Sequence, residues 1–358
     1  MKTKPACIFA VVFLILGPGL FGQEKKPFLG PADVVKVIQE SSTAYVISSF
    51  AMLKPEETRD LLSLLYPPSC PSIAYPRVEW KDGQASVREF EFKKKASELM
   101  NKADSSFAEK NYEKARQIYE QALKADPDCY LAMAFIGDCY LSAGQPEQAL
   151  AEYERAILKN SNDHRLYFFR GHALKVLGRA EEAWQDWIHA LMLSPRYAFV
   201  LQVLSSPQNP FTRSIRESIF KPPVMVRKEG ANVAVYVDTD KPGGHWLAYA
   251  NAKAVWLGEP SHRKAMIGTT DPSWSSTEER ECLANLMAVY EDEVREKSIE
   301  PDPDLEILRR IVEADDLEPF LLYEVYSRLC PWGMLTMPEE TQKRVEEYIR
   351  KYLVTRRP

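Results

Sequence analysis

The stretch EKNYEKARQIYEQALKADPD, from Glu109 to Asp128, decides how this chain folds. Its pattern returns 34 positions later as AGQPEQALAEYERAILKNSN (143–162), and after another 34 as LGRAEEAWQDWIHALMLSPR (177–196). With the copies counted from Ala96, Tyr130 and His164, position 20 is Ala115, Ala149 and Ala183, and position 27 is Ala122, Ala156 and Ala190. Position 24 is always a large ring, Tyr119, Tyr153 and Trp187, and position 8 is always small, Ala103, Gly137 and Gly171. An unbroken period of this length marks a supersecondary unit stacked on copies of itself. Two antiparallel helices approach closely only where their side chains are small, so positions 8, 20 and 27 form a contact seam. The ring at position 24 is then expected to fill the space between successive pairs. Gly144 and Gly178 stand where a first helix must stop and reverse, a left-handed position that costs glycine least. One such pair cannot bury its apolar face alone, whereas three stacked pairs with a cap can.

The pattern resembles the tetratricopeptide repeat family over residues 93–205, with PRYAFVLQVL (195–204) in the place of the helix that caps such arrays. Departures are few. Position 4 holds Leu99, Met133 and Tyr167 where the family has Trp, position 7 holds Lys102 and Arg170 in the outer copies, position 11 of the first copy is Ser106, and Ser161 replaces the Pro that ends the second. The resemblance implies an α-solenoid whose first helices line a concave groove through positions 2, 5, 9, 12 and 13. Carried over, the partner-binding candidates are Met100, Asp104 and Phe107, then Leu131, Asp138 and Leu141, then Arg165, Phe168, His172 and Lys175. Ser97, Ala108, Ala134, Ser142 and Val176 complete the same positions. Chaperone-docking members of the family grip a terminal carboxylate with Lys and Asn at positions 5 and 9 of the first copy. Here Met100 and Asp104 stand there, so that ligand class is not expected. The expected groove has an apolar floor, an acidic wall in copies one and two, and a basic third copy; it takes a protein or peptide partner and no cofactor.

The 358 residues exceed one ordinary domain, with 45% hydrophobic and 27% charged residues and a net charge of -5. That balance gives no basic footprint for nucleic acid. At the N-terminus, Lys2 and Lys4 precede an apolar run from Ala6 to Leu16, then Pro18 and small residues, which is the layout of a secretory leader. The run is short for a bilayer span of about 20 residues. We therefore expect a signal peptide over 1–22, cleavage leaving Gln23, and a periplasmic or extracellular protein; the alternative is an uncleaved anchor that holds the chain to a membrane. Cys70, Cys129, Cys139, Cys282 and Cys330 remain, too few for a disulfide scaffold. They read as buried small apolar residues, or as one bridge, with Cys282 to Cys330 the pair considered.

Flanking α+β regions complete a mainly α fold. In the mixed region 23–92, PADVVKVIQESS and KPEETRDLLSLLYPP have helical spacing, TAYVISSF reads as a strand, and RVEWKDGQASVREFEF as a hairpin around Asp82-Gly83. In 206–358 a β-hairpin is expected near 224–237, followed by helices, one with Ser276 and Glu279 in capping-box spacing and one with Asp302 or Asp304 as its N-cap. The last helix puts Val345, Tyr348, Ile349 and Leu353 on one face. No GxSxG, HExxH, Walker or CxxC signature occurs. SHRK (261–264) has Ser-x-x-Lys spacing without the companion motifs of penicillin-binding enzymes, and DKPGGHW (240–246) reads as packing around a Gly-Gly turn. The sequence therefore points to an interaction protein with no metal site. An enzyme with its active site in 206–358 is the alternative, and an array serving only as a spacer packed against residues 24–92 is the third reading.

Overall fold

The computed structural model describes residues 27–54, 61–206, 211–238 and 243–356. The leader segment, Asp240 to Pro242 of the Gly-Gly motif and the front of KPEETRDLL lie outside them. The chain divides into two units, one built from 70–217 and 330–358, the other from the stretch ending at Ser69 together with 218–329.

The first unit holds the repeats. A lead-in hairpin pairs Pro76–Lys81 with Gln84–Glu89 antiparallel, and Asp82 and Gly83 take φ of 51° and 77° at its two-residue turn. Three helix pairs follow: Lys94–Ala108 with Tyr112–Ala125, Tyr130–Ser142 with Pro146–Lys159, and His164–Val176 with Ala180–Leu193, capped by Ala198–Ser205. The alanines at positions 20 and 27 are all completely buried. A Cβ added to Gly137 would stand 2.6 Å from the Tyr153 ring, and one on Gly171 would stand 2.3 Å from the Trp187 indole. The position-24 ring thus lies on the glycine of its own pair, where we expected it between pairs. Its outer side reaches the next repeat as well, with Tyr119 5.5 Å from Phe135 and Tyr153 6.0 Å from Phe169, centroid to centroid.

The far end of the array is closed by more than the capping helix. Helix Glu339–Tyr348 and its continuation Ile349–Leu353 bury Val345, Tyr348, Ile349 and Leu353, the face anticipated from their spacing. Strand Val354–Arg356 pairs with Arg213–Ile215, and Glu346 Oε1 meets His189 Nδ1 of the last repeat helix at 2.6 Å. The bridge that forms joins Cys70 to Cys330, across a separation of 260 residues. Cys282 is buried and unbridged, as are Cys129 and Cys139, so the Cys282–Cys330 pairing is corrected. The partner of Cys330 is set by which strands of chain meet at the edge of this unit, and spacing in the sequence carries no trace of that.

The second unit combines a three-stranded sheet with helices. Tyr45–Ser49 runs parallel to Asn232–Val237, which forms the expected hairpin with Val224–Glu229. Around it lie Pro31–Glu40, Leu61–Leu65, His245–Gly258, Pro260–Ile267, Ser276–Arg295, Pro303–Glu313 and Leu317–Phe320, the last continuing through a π-helical turn, Leu321–Tyr326. Asp302 caps its helix as anticipated, accepting from the amides of Asp304 and Leu305. The capping-box reading of Ser276 and Glu279 fails. Ser275 is the N-cap, its Oγ accepting from Glu278 N at 3.1 Å, and Glu279 turns inward. There its carboxylate accepts from Tyr66 at 2.8 Å, Tyr249 at 2.5 Å and Lys253 at 2.7 Å. Among the described residues no helix is long and apolar enough to cross a membrane.

Candidate functional site

The partner-binding candidates of the repeat positions lie on the first helix of each pair, Lys94–Ala108, Tyr130–Ser142 and His164–Val176. At position 9 the two aspartates make the same contact, although Asp104 is exposed and Asp138 half-buried. Tyr119 donates to Asp104 Oδ1 at 2.5 Å and Tyr153 to Asp138 Oδ1 at 2.6 Å, each pair joining positions 9 and 24 of one repeat. One carboxylate oxygen is thereby fixed in each copy. Burial raises the Asp138 carboxyl to about 6, against which the Tyr153 hydrogen bond works only in part. In the third copy His172 takes position 9, its ring 5.4 Å from that of Trp187, whose indole donates to Phe168 O at 3.2 Å.

The floor is less open than expected. Met100 and Leu131 are only 8% and 3% exposed and belong to the same cluster as Phe90 and Tyr130, against which Tyr75 and Phe92 of the lead-in also pack. Phe107 and Leu141 are half-buried. The third copy presents an aromatic ledge. The Phe168 ring lies 4.6 Å from His172, 5.6 Å from Tyr197 and 6.0 Å from Phe199, and Phe199 and Val176 are 57% and 64% exposed.

Basic character there is weaker than the residue types suggested. Arg165 Nε donates to the fully buried Asp163 at 2.7 Å, and its guanidinium lies 4.8 Å over the Tyr75 ring. Burial holds His164 down at about 4 and, with Lys175 nearby, pulls His172 below its ordinary value. Lys175 is exposed. Tyr197 and Phe199, which the structure sets beside Phe168, lie outside the repeat register because they belong to the cap; their signal in the sequence is the pair of aromatics opening PRYAFVLQVL.

Outside the array the singled-out motifs have structural explanations. His245 is buried, and its Nδ1 meets Glu293 Oε2 at 2.6 Å. Ser261 and Lys264 are both exposed on a helix whose buried member is Arg263. Among the described residues no group of three or more His, Cys, Asp or Glu is placed to hold a metal.

Close helix pairs in register, a capped end and a recurring Asp–Tyr contact form a tetratricopeptide array. Residues 106–168 match the tetratricopeptide repeat family model. The chain is similar to the protein STIP1 homolog of Dictyostelium discoideum, 29% identical over 101 residues that cover 28% of this chain and 18% of that protein. It is also similar to the DnaJ homolog subfamily C member 7 homolog of Schizosaccharomyces pombe, 26% identical over 195 residues covering 50% and 41%. The matched part thus spans less than half the length of either relative. Among solved structures, the second such domain of Spaghetti (RPAP3), bound to the HSP90 peptide SRMEEVD, is 29% identical with a TM-score of 0.27 and covers 28% of this chain and 93% of that one.

Proposed function

We infer that this chain is an exported protein whose tetratricopeptide array captures a protein or peptide partner along its concave face. The observation that carries the reading is the repeated Asp–Tyr contact at positions 9 and 24 beside an exposed aromatic ledge. Two like-placed carboxylates, each with an oxygen besides the one held by tyrosine, suit a segment carrying Lys or Arg toward copies one and two. Phe107, Leu141, Phe168 and Phe199 suit its apolar side chains. Charge complementarity of this kind mainly sets specificity and encounter rate. The Spaghetti (RPAP3) domain is bound to an HSP90 peptide, but here Met100 and Asp104 supply neither cation nor amide for a terminal carboxylate, so a basic internal segment is the better fit. Export is supported by the charged-apolar-small leader and by the Cys70–Cys330 bridge, since such bridges persist in oxidising compartments.

Random peptides displayed and selected against the whole protein test the site. The enriched sequences should carry Lys or Arg beside apolar or aromatic residues, and Asp104→Asn with Asp138→Asn, which keeps the tyrosine contacts, should weaken them about tenfold at low salt. Selected peptides that bind the double variant as tightly as wild type would move the site off this wall.

A further inference from the structure

The geometry points to a built-in occupant of the Arg165 corner of the third repeat: residues 71–78 form a strap along that rim, latched by the Cys70–Cys330 bridge and released when a dithiol reduces that bridge. This rests on reading the concave face as the partner site, and it adds how access to that face is controlled.

One side of the strap is tied to its own hairpin, where the Ala74 and Tyr75 amides donate to Glu89 at 3.2 Å and Tyr75 O accepts from Phe90 N at 2.7 Å; its other side meets one rim of the array. Arg165, at a groove position of the third copy, donates through Nη2 to Ala74 O at 3.1 Å while its guanidinium lies on the Tyr75 ring. Asn160 donates to Pro76 O at 3.1 Å, and Asn162 Oδ1 accepts from Val78 N at 3.1 Å. Both asparagines lie in the turn that leads into the third repeat. A carbonyl and a ring offered to a groove arginine are what a bound peptide would offer, so a partner engaging Arg165 must displace Ala74 and Tyr75.

The latch lies just upstream. Ala74 stands four positions after Cys70, a reach of at most about 14 Å in extended chain, so the bridge confines the strap to its rim. Trp332, two residues beyond Cys330, donates to Pro71 O at 2.8 Å and holds the same end. Cys330 is fully buried and Cys70 half-buried, so an incoming thiolate meets Cys70 Sγ first. The new sulfur–sulfur bond forms there and the Cys70–Cys330 bond breaks. Cys330 leaves as a thiolate and takes up a proton, and the reductant's second thiol then displaces Cys70, closing the reductant's own disulfide. Two electrons and two protons pass to the protein. The unbridged cysteines do not compete: burial pushes the Cys129 and Cys139 thiols up to about 11 and about 12.

Hydrogen exchange and phenylglyoxal labelling of the full chain, oxidised and reduced with a dithiol, test this without any partner, so failure here leaves the groove reading standing. Reduction should speed exchange at the Val78 amide and labelling of Arg165 by roughly tenfold, as local opening becomes easier, while the helix Pro146–Lys159 keeps its protection. Cys70→Ser should reproduce that state without reductant; if it fails to fold, the reduced wild type still decides. Unchanged exchange and labelling would overturn the proposal, because the strap would then hold without its latch. Loss of protection throughout the repeats would overturn it too, making the bridge a general staple.

Discussion

The repeat seam and the polar core of the second unit both bring helices into close contact, by opposite means. In the seam, glycines 137 and 171 are so near a Tyr or Trp ring that shape alone specifies the fit. In the other unit, helices His245–Gly258 and Ser276–Arg295 meet over charges. Lys253 Nζ lies 2.9 Å from Glu278 and 2.7 Å from Glu279, and Arg263 pairs with Glu278. Burial disfavours the Lys253 ammonium, yet Glu278 and Glu279 hold it well above the ordinary lysine range. A seam made of absent side chains tolerates no addition; a core made of paired charges tolerates no removal.

The largest effect is therefore expected from breaking the charged core. Glu279→Ala leaves Lys253 with Glu278 as its remaining carboxylate and the Tyr66 and Tyr249 hydroxyls with each other in a buried site, and should cost about 3 kcal/mol in chemical denaturation. Glu279→Ala combined with Lys253→Met should recover much of that loss. A single variant as stable as wild type would show that the charges are solvated. Next comes the seam. Gly137→Leu forces side-chain bulk into the Tyr153 ring and should cost on the order of 1–3 kcal/mol or more. A wild-type melting temperature for that variant would refute the packing described for position 8.

A smaller effect separates the groove wall from both. The Asp138 carboxyl is raised in the folded protein, to about 6. A raised acid contributes stability that is fully present below its unfolded value and is lost as pH climbs through its folded one. The wild-type advantage over Asp138→Asn should thus fall between about pH 4 and pH 6, by about 1–2 kcal/mol after allowance for partial solvation, and be flat above. Melting curves of the two proteins across that range check the sign. The smallest change is expected at Gly144, where φ is +75° and no atom lies within 4 Å of an added Cβ. Gly144→Ala should cost only about 1 kcal/mol, from backbone strain without a clash. A cost matching that of Gly137→Leu would mean that the two glycines are not different in kind.

What the sequence determined by itself is the part of this protein held by local, recurring contacts. Alanines at positions 20 and 27, glycines at 8 and at the turns, and the one-sided last helix are legible because a helix repeats its faces every few residues and the repeat restates them three times. The hairpin turns at Asp82-Gly83 and near Gly230 are legible for the same reason, since a turn depends on its own few residues. Tertiary structure alone decided the rest. The pairing of Tyr45–Ser49 with a strand almost 190 residues later, the joining of Cys70 to Cys330, the inward turn of Glu279 and the seating of Tyr75 on Arg165 all depend on distant segments meeting. Glutamates on a helix look alike along the chain; whether one faces water or a buried lysine is settled only when the neighbouring helix has docked. The same holds for the proposed groove: the repeat positions supplied its candidates, but the lead-in and the cap, packed against Met100, Leu131, Arg165 and Phe168, decided which of them are covered and which are exposed.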